Sequence, residues 1–134
     1  MTAASWALQK AVYAALTADA ALTALCGGRV FDAVPKNAVF PYVVIGEAEE
    51  RDGGGIVTHA LTLHLWSRAN GAREIKQIAN AVRACLDGAH LTLDGHVLID
   101  LAFASTDYVR QSDGETWRGS LRFRAVTEPQ GALP

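Results

Sequence analysis

The stretch Ile56-Val57-Thr58-His59-Ala60-Leu61-Thr62-Leu63-His64-Leu65-Trp66-Ser67 decides the fold class. His59, Leu61, Leu63 and Leu65 fall on one side of an extended chain, and Ala60, Thr62, His64 and Trp66 on the other, because side chains alternate across a strand. Both sides are fairly apolar, which predicts a strand covered on both faces. Asn70-Gly71 closes it, and the period then changes. Between Ala72 and Leu86, Ile75, Ile78, Val82, Cys85 and Leu86 share one helical face, while Arg73, Lys76, Gln77, Asn80 and Arg83 share the other. Asn70 or Gly71 serves as N-cap and Gly88 as terminator. A helix with one apolar face, next to such a strand, is most simply laid against a sheet.

Toward the N-terminus, Leu8, Val12 and Leu16 recur every four residues, so Ala3 to Leu16 reads as a helix. It is not a signal peptide: a cationic start is missing and Lys10 interrupts the apolar region. Asp19 caps a short second helix with Leu22 and Leu25 inward, and Gly27-Gly28 stops it. Val30 to Val34 reads as a short strand ended by Pro35, and Tyr42-Val43-Val44-Ile45 as the next. Glu47, Glu49, Glu50, Arg51 and Asp52 precede three glycines, which predicts a flexible hairpin loop.

Toward the C-terminus, Asp94-Gly95 marks a tight hairpin after Leu91-Thr92-Leu93. Val97 to Gln111 is a long strand, turned by Ser112-Asp113-Gly114. Glu115 to Thr127 returns with Trp117, Leu121, Phe123 and Ala125 on one face and Arg118, Ser120, Arg122 and Arg124 on the other. The expected fold is α+β: a mixed, largely antiparallel sheet with two main helices packed on one face. Residues 1–127 form one domain, and 128–134 form a mobile C-terminal tail.

Composition bounds the function. A chain of 134 residues is one domain with a core of useful size. With 50% hydrophobic and 19% charged residues it is not a disordered protein. The net charge of −2 speaks against a basic nucleic-acid-binding surface. No apolar run reaches the ~18 residues of a membrane span.

Reactive chemistry finds little support. His59 and His64 point to opposite faces of one strand, His90 and His96 flank a hairpin, and Cys26 and Cys85 sit apart on apolar helical faces. None has the paired spacing of a zinc site, so no metal, cofactor or catalytic residue is assigned. A Cys26–Cys85 disulfide is open either way. Gly53-Gly54-Gly55 lacks the pattern of a phosphate cradle. The carboxylates of Glu47, Glu49, Glu50 and Asp52 read as a solvated tip, or as a loop ordered by a neighbouring subunit. Arg118, Arg122 and Arg124, with Arg110 across the turn, form a basic stripe. It reads as a charged face that discourages aggregation, or as an intersubunit or tube-facing surface. Trp6, Trp66 and Trp117 are core or interface anchors.

Several stretches together resemble one family. They are Gly27-Gly28-Arg29-Val30-Phe31-Asp32, Val34-Pro35, Phe40-Pro41-Tyr42-Val43-Val44-Ile45-Gly46-Glu47, His59-Ala60-Leu61-Thr62-Leu63-His64-Leu65-Trp66-Ser67-Arg68, and the closing Phe123-Arg124-Ala125-Val126-Thr127. In this order they resemble the tail-terminator (tail-completion) proteins of long-tailed phages, prophages and gene transfer agents. The resemblance implies a small α+β subunit, made in the bacterial cytoplasm, that closes into a homo-hexamer ring at the head–tail junction. The ring would sit on the tail tube protein and stop polymerisation. Its other face would meet the head connector or adaptor (stopper) protein, and double-stranded DNA would pass through without sequence-specific binding. No enzyme activity, cofactor or membrane contact is implied. A ring needs two different complementary surfaces. The acidic segment Glu47 to Asp52 is the expected candidate for one, and the arginine stripe for the other. Other readings stay open: a head-completion or connector protein at the same junction, a small ligand-binding or enzymatic α+β domain with a polar-lined pocket, and a nucleic-acid-binding domain.

Overall fold

The computed structural model describes residues 3–131. Helix α1 (Ala4–Ala18) buries the expected stripe of Leu8, Val12 and Leu16, together with Ala7. Asp19 leaves α1 and caps α2 (Ala20–Cys26), its carboxylate accepting the Leu22 N–H at 2.9 Å. Gly27 ends α2 at φ 61°, the left-handed conformation that glycine adopts without strain. Strand β1 is only Val30–Phe31, shorter than the expected run to Val34, because the chain bends away at Asp32 and leaves Val34 exposed.

Strand β2 (Tyr42–Gly53) and β3 (Ile56–Ser67) form a long hairpin. Its turn is Gly54-Gly55, with φ of 62° and 82°, the pair of positive values that a two-residue turn matched to strand twist requires. The acidic segment is therefore paired strand and not a flexible loop. Glu49, Glu50, Arg51 and Asp52 stand opposite Ala60, His59, Thr58 and Val57. Its polarity reflects exposure, since everything from Glu47 to Gly53 is solvent-facing.

Helix α3 (Arg73–Leu86) buries Ile75, Ile78, Val82 and Leu86. Its N-cap is Ala72, without a side-chain cap, rather than Asn70 or Gly71. The end of β3 anchors the first turn instead, where the Ser67 hydroxyl donates to Glu74 Oε1 at 2.6 Å. Strands β4 (Thr92–Leu93), β5 (His96–Arg110) and β6 (Trp117–Pro129) complete the chain. Strand β6 runs past the expected boundary at Thr127, pairing Glu128 with Val97 and Pro129 with His96. Residues 132–134 of the expected tail lie outside the described residues.

The six strands make one sheet in the order β1-β2-β3-β6-β5-β4. Among the described residues only the β1–β2 pair is parallel. The fold is α+β with a mixed, largely antiparallel sheet, as the alternation predicts. The core lies between the sheet and the helices, where Leu61, Leu63, Leu65, Leu121 and Phe123 meet Val12, Leu16, Ile75, Ile78 and Val82. Helix α1 touches both end strands, β1 and β4, so the sheet curls around it. Among the described residues no helix lies on the other face: Ala60 is exposed, and Thr62, His64 and Trp66 are half-buried. The expectation of two covered faces is thus corrected. Ala60 and Trp66 make that face apolar in composition without giving it a layer to pack against.

Candidate functional site

Strand register fixes what stands on the uncovered face. Tyr42, Trp66, Arg118 and Val109 form one cross-strand row, and Val44, His64, Ser120 and Asp107 the next. Thr62, Arg122 and Ser105 follow, then Glu49, Ala60, Arg124 and Ala102, then Arg51, Thr58, Val126 and Asp100. Arg118, Arg122 and Arg124 therefore form the predicted stripe on one face. Glu49 and Arg51 share that face with them, as does Glu47, which reaches His64 from the β-bulge between Ile45 and Ala48. The acidic and basic candidates are not two separate surfaces but neighbours across β3. Glu50 and Asp52 fall on the opposite face, in rows with His59 and Val57.

Arg110 departs from the stripe. It pairs with Trp117, on the helix side, and its guanidinium lies 4.8 Å from the Trp117 ring centroid. Two bulges in β5, between Leu98 and Asp100 and between Phe103 and Ser105, each shift the alternation by one residue.

The face is wired by polar contacts. His64 Nε2 stands 2.6 Å from Glu47 Oε1, and its Nδ1 2.9 Å from the Ser120 hydroxyl. A neutral imidazole that donates from Nε2 to the carboxylate accepts the serine proton at Nδ1. This bond holds the Glu47 carboxyl below its usual range. Ser120 is 2% exposed, which hides its hydroxyl from any outside substrate. Arg122 pairs with Asp107 at 2.8 Å, and Arg51 with Glu49 at 3.0 Å. Arg118 Nε is buried without a hydrogen-bond partner. A shallow hollow of about 320 Å³ opens over Ala60, flanked by Glu49 and Arg51 on one side and Arg122 and Arg124 on the other. Exposed ion pairs of this kind stabilise a fold little, by about 0–1 kcal/mol each, so their positions matter more for what docks there.

His59 lies on the core side, 3% exposed, its Nε2 2.9 Å from Thr127 Oγ1. Burial depresses its pKa, with Glu50 opposing and His96 adding to the effect. A depressed folded pKa means that the unfolded chain binds the proton better, so this contribution is intact above the unfolded value of about 6.5 and is lost as pH falls through that region. The melting temperature is expected to fall between pH 7 and 5.5, and His59→Gln should flatten that slope. An unchanged slope in the variant would assign the effect to other groups.

Both cysteines are free, and burial pushes the Cys26 thiol up to about 11. Cys85 Sγ donates to the Ala15 carbonyl at 3.5 Å. Among the described residues no group of three or more His, Cys, Asp or Glu is placed to hold a metal ion. Trp6 and Tyr13 stand exposed on α1, while Trp66 and Trp117 are half-buried.

The separate stretches behind the family resemblance meet in space. Arg29 Nε donates to the Pro41 carbonyl at 2.9 Å, and Val43 N–H donates to the Arg29 carbonyl. The Arg68 guanidinium covers the Phe40 ring at 4.2 Å and its Nε donates to Thr116 Oγ1. These residues pin the loop before β2 to the ends of β3 and β6. No spacing rule within the sequence links Arg29, Phe40 and Arg68, which are joined only through the fold.

The comparisons agree with this architecture. The family described as "Tail completion protein gp17" matches residues 10–128. A solved chain titled "Virion of native gene transfer agent (GTA) particle" superposes with a TM-score of 0.87 at 35% identity, covering 96% of this chain and 99% of that one. No curated protein matches. The chain belongs to the tail completion protein family.

Proposed function

We propose that this protein is a tail terminator of a phage-like particle. Its subunits close into a hexameric ring that caps the tail tube and stops its polymerisation. The opposite face of the ring receives the head connector, and double-stranded DNA passes through the lumen. The protein docks and seals at the head–tail junction of the virion and catalyses no reaction. The observation that carries this reading is the family membership over almost the whole chain. The likeness to a chain from a gene transfer agent virion supports it. The uncovered sheet face, with arginines and carboxylates side by side, offers charge suited to a specific partner rather than to free nucleic acid. The modest net charge of −2 suits passage of DNA without retention.

Light scattering of the purified protein, alone and with tail tube protein, tests the reading. A hexamer mass is expected, in isolation or on the tube. A monomer or dimer that ignores the tube would overturn it.

A further inference from the structure

Both long edges of the sheet are open over matching lengths. Strand β1 covers β2 only at Val43 and Val44, and β4 covers β5 only at His96 and Val97. The Gly88 N–H and the Asp87 carboxylate extend the second cover by binding the Leu101 carbonyl and the Phe103 N–H. Beyond these, Glu47–Gly53 of β2 and Ala104–Arg110 of β5 have no strand on their outer side among the described residues. Each is about seven residues, roughly 24 Å of strand.

We infer that subunits join edge to edge, the free half of β2 of one copy pairing antiparallel with the free half of β5 of the next. The inference rests on the ring reading above and specifies its subunit contact. Direction supports it. Every pairing from β2 through β3 and β6 to β5 is antiparallel, so β2 and β5 run in opposite senses. A copy related by rotation about an axis along the sheet edge presents β2 antiparallel to β5, which is a heterologous contact able to close.

Face and charge select the register. Ladder partners share a face. Asp107 is on the uncovered face, where the charged residues of the free half of β2 are Glu47, Glu49 and Arg51. Glu47 or Glu49 of the adjoining copy opposite Asp107 would set two carboxylates against each other, a destabilising pair. Arg51 there makes an ion pair with Asp107. That register sets Glu49 opposite Val109, beside Arg118 and its unpartnered Nε. It also sets Glu50 opposite Tyr108 on the helix side, near Arg110 and near Lys76, whose Nζ lies 5.5 Å from the Tyr108 ring centroid.

The stagger is compatible with closure. The row of Arg51 crosses β6 at Val126, and that of Asp107 crosses it at Ser120. The offset is about 20 Å along the strands. Four strands per subunit span about 19 Å, so closure without net rise needs a tilt of about 45°, close to the ~35–45° of closed sheets.

Charge exchange and amide exchange test the contact. Arg51→Asp and Asp107→Arg should each weaken ring formation about tenfold or more, and the double variant should recover it. Backbone amides of 47–53 and 104–110 should exchange with solvent at least about tenfold more slowly in the assembled form than in dilute monomer. A ring in which both segments exchange at the monomer rate overturns edge pairing and leaves the ring reading standing. A double variant as defective as the single ones also overturns it. A protein that forms no ring even with tail tube protein present removes the ring reading and this contact together.

Discussion

Phe123→Ala is expected to lower the stability of the subunit by about 3–5 kcal/mol, the range for emptying a large aromatic site in a core that relaxes only in part. Phe123 is 1% exposed and lies in the middle strand pair, in the row Ala48, Leu61, Phe123, Phe103. Its ring meets Phe103 edge-on, centroids 5.7 Å apart at 77°, an arrangement with electrostatic gain beyond burial. Truncation loses the apolar contact and strands Phe103, which has Arg83 over its ring at 4.1 Å and is itself only half-buried. A domain of this size has about 5–15 kcal/mol in total, so the variant should unfold at much lower urea. The urea midpoint, with the slope checked for constancy, measures the loss. A fall of less than about 1 kcal/mol would mean that the core is not centred on this strand pair.

The same variant shows which part of the fold was legible in sequence. Phe123 sits in a strict alternation, and strict alternation has one structural solution when one face is buried. Alternation also sets His59, Leu61, Leu63 and Leu65 on one side of β3, though not which side is the core, and the period of about 3.6 residues marks the buried face of α3. Leu61, Leu63 and Leu65 are buried, as are Ile75, Ile78, Val82 and Leu86 of α3, while Cys85 is half-buried. The acidic segment was not legible, because strand formation there comes from pairing with β3 and not from its own composition. Three consecutive glycines suggested mobility, yet only Gly54 and Gly55 make the turn, and Gly53 is paired with Ile56. Arg110 was assigned to the stripe by proximity to the turn. The turn from Gln111 to Thr116 sets it opposite Trp117 on the helix side, and the two one-residue bulges of β5, which leave no local mark in Leu98-Ile99-Asp100 or Phe103-Ala104-Ser105, cancel before they reach it. Arg118, Arg122 and Arg124 were placed together correctly, since β6 has no such interruption.

The bulge in β2 does carry a signal, and it leads to the second large effect. Gly46→Val is expected to destabilise the subunit by about 1–3 kcal/mol, the usual cost of forcing volume into a filled site. A Cβ at Gly46 would stand 2.7 Å from His64 Cδ2 and 3.1 Å from the Thr62 carbonyl oxygen. The carbonyl belongs to the backbone of β3 and cannot move alone. His64 cannot swing aside cheaply either, because Glu47 and Ser120 hold its two ring nitrogens. The glycine is therefore required by close approach and not by a positive φ. Relief would have to break the His64 contacts or open the β2–β3 ladder at Ile45 to Ala48, where it is already irregular. Gly53→Ala is the matched control, since a Cβ there meets nothing within 4 Å and the residue is already extended. Urea denaturation should separate the two variants, with Gly53→Ala within about 0.5 kcal/mol of the parent. Equal stability of the Gly46 variant and the parent would show that the bulge adapts. His64 would then be a replaceable part of the uncovered face and not the clamp that shapes it.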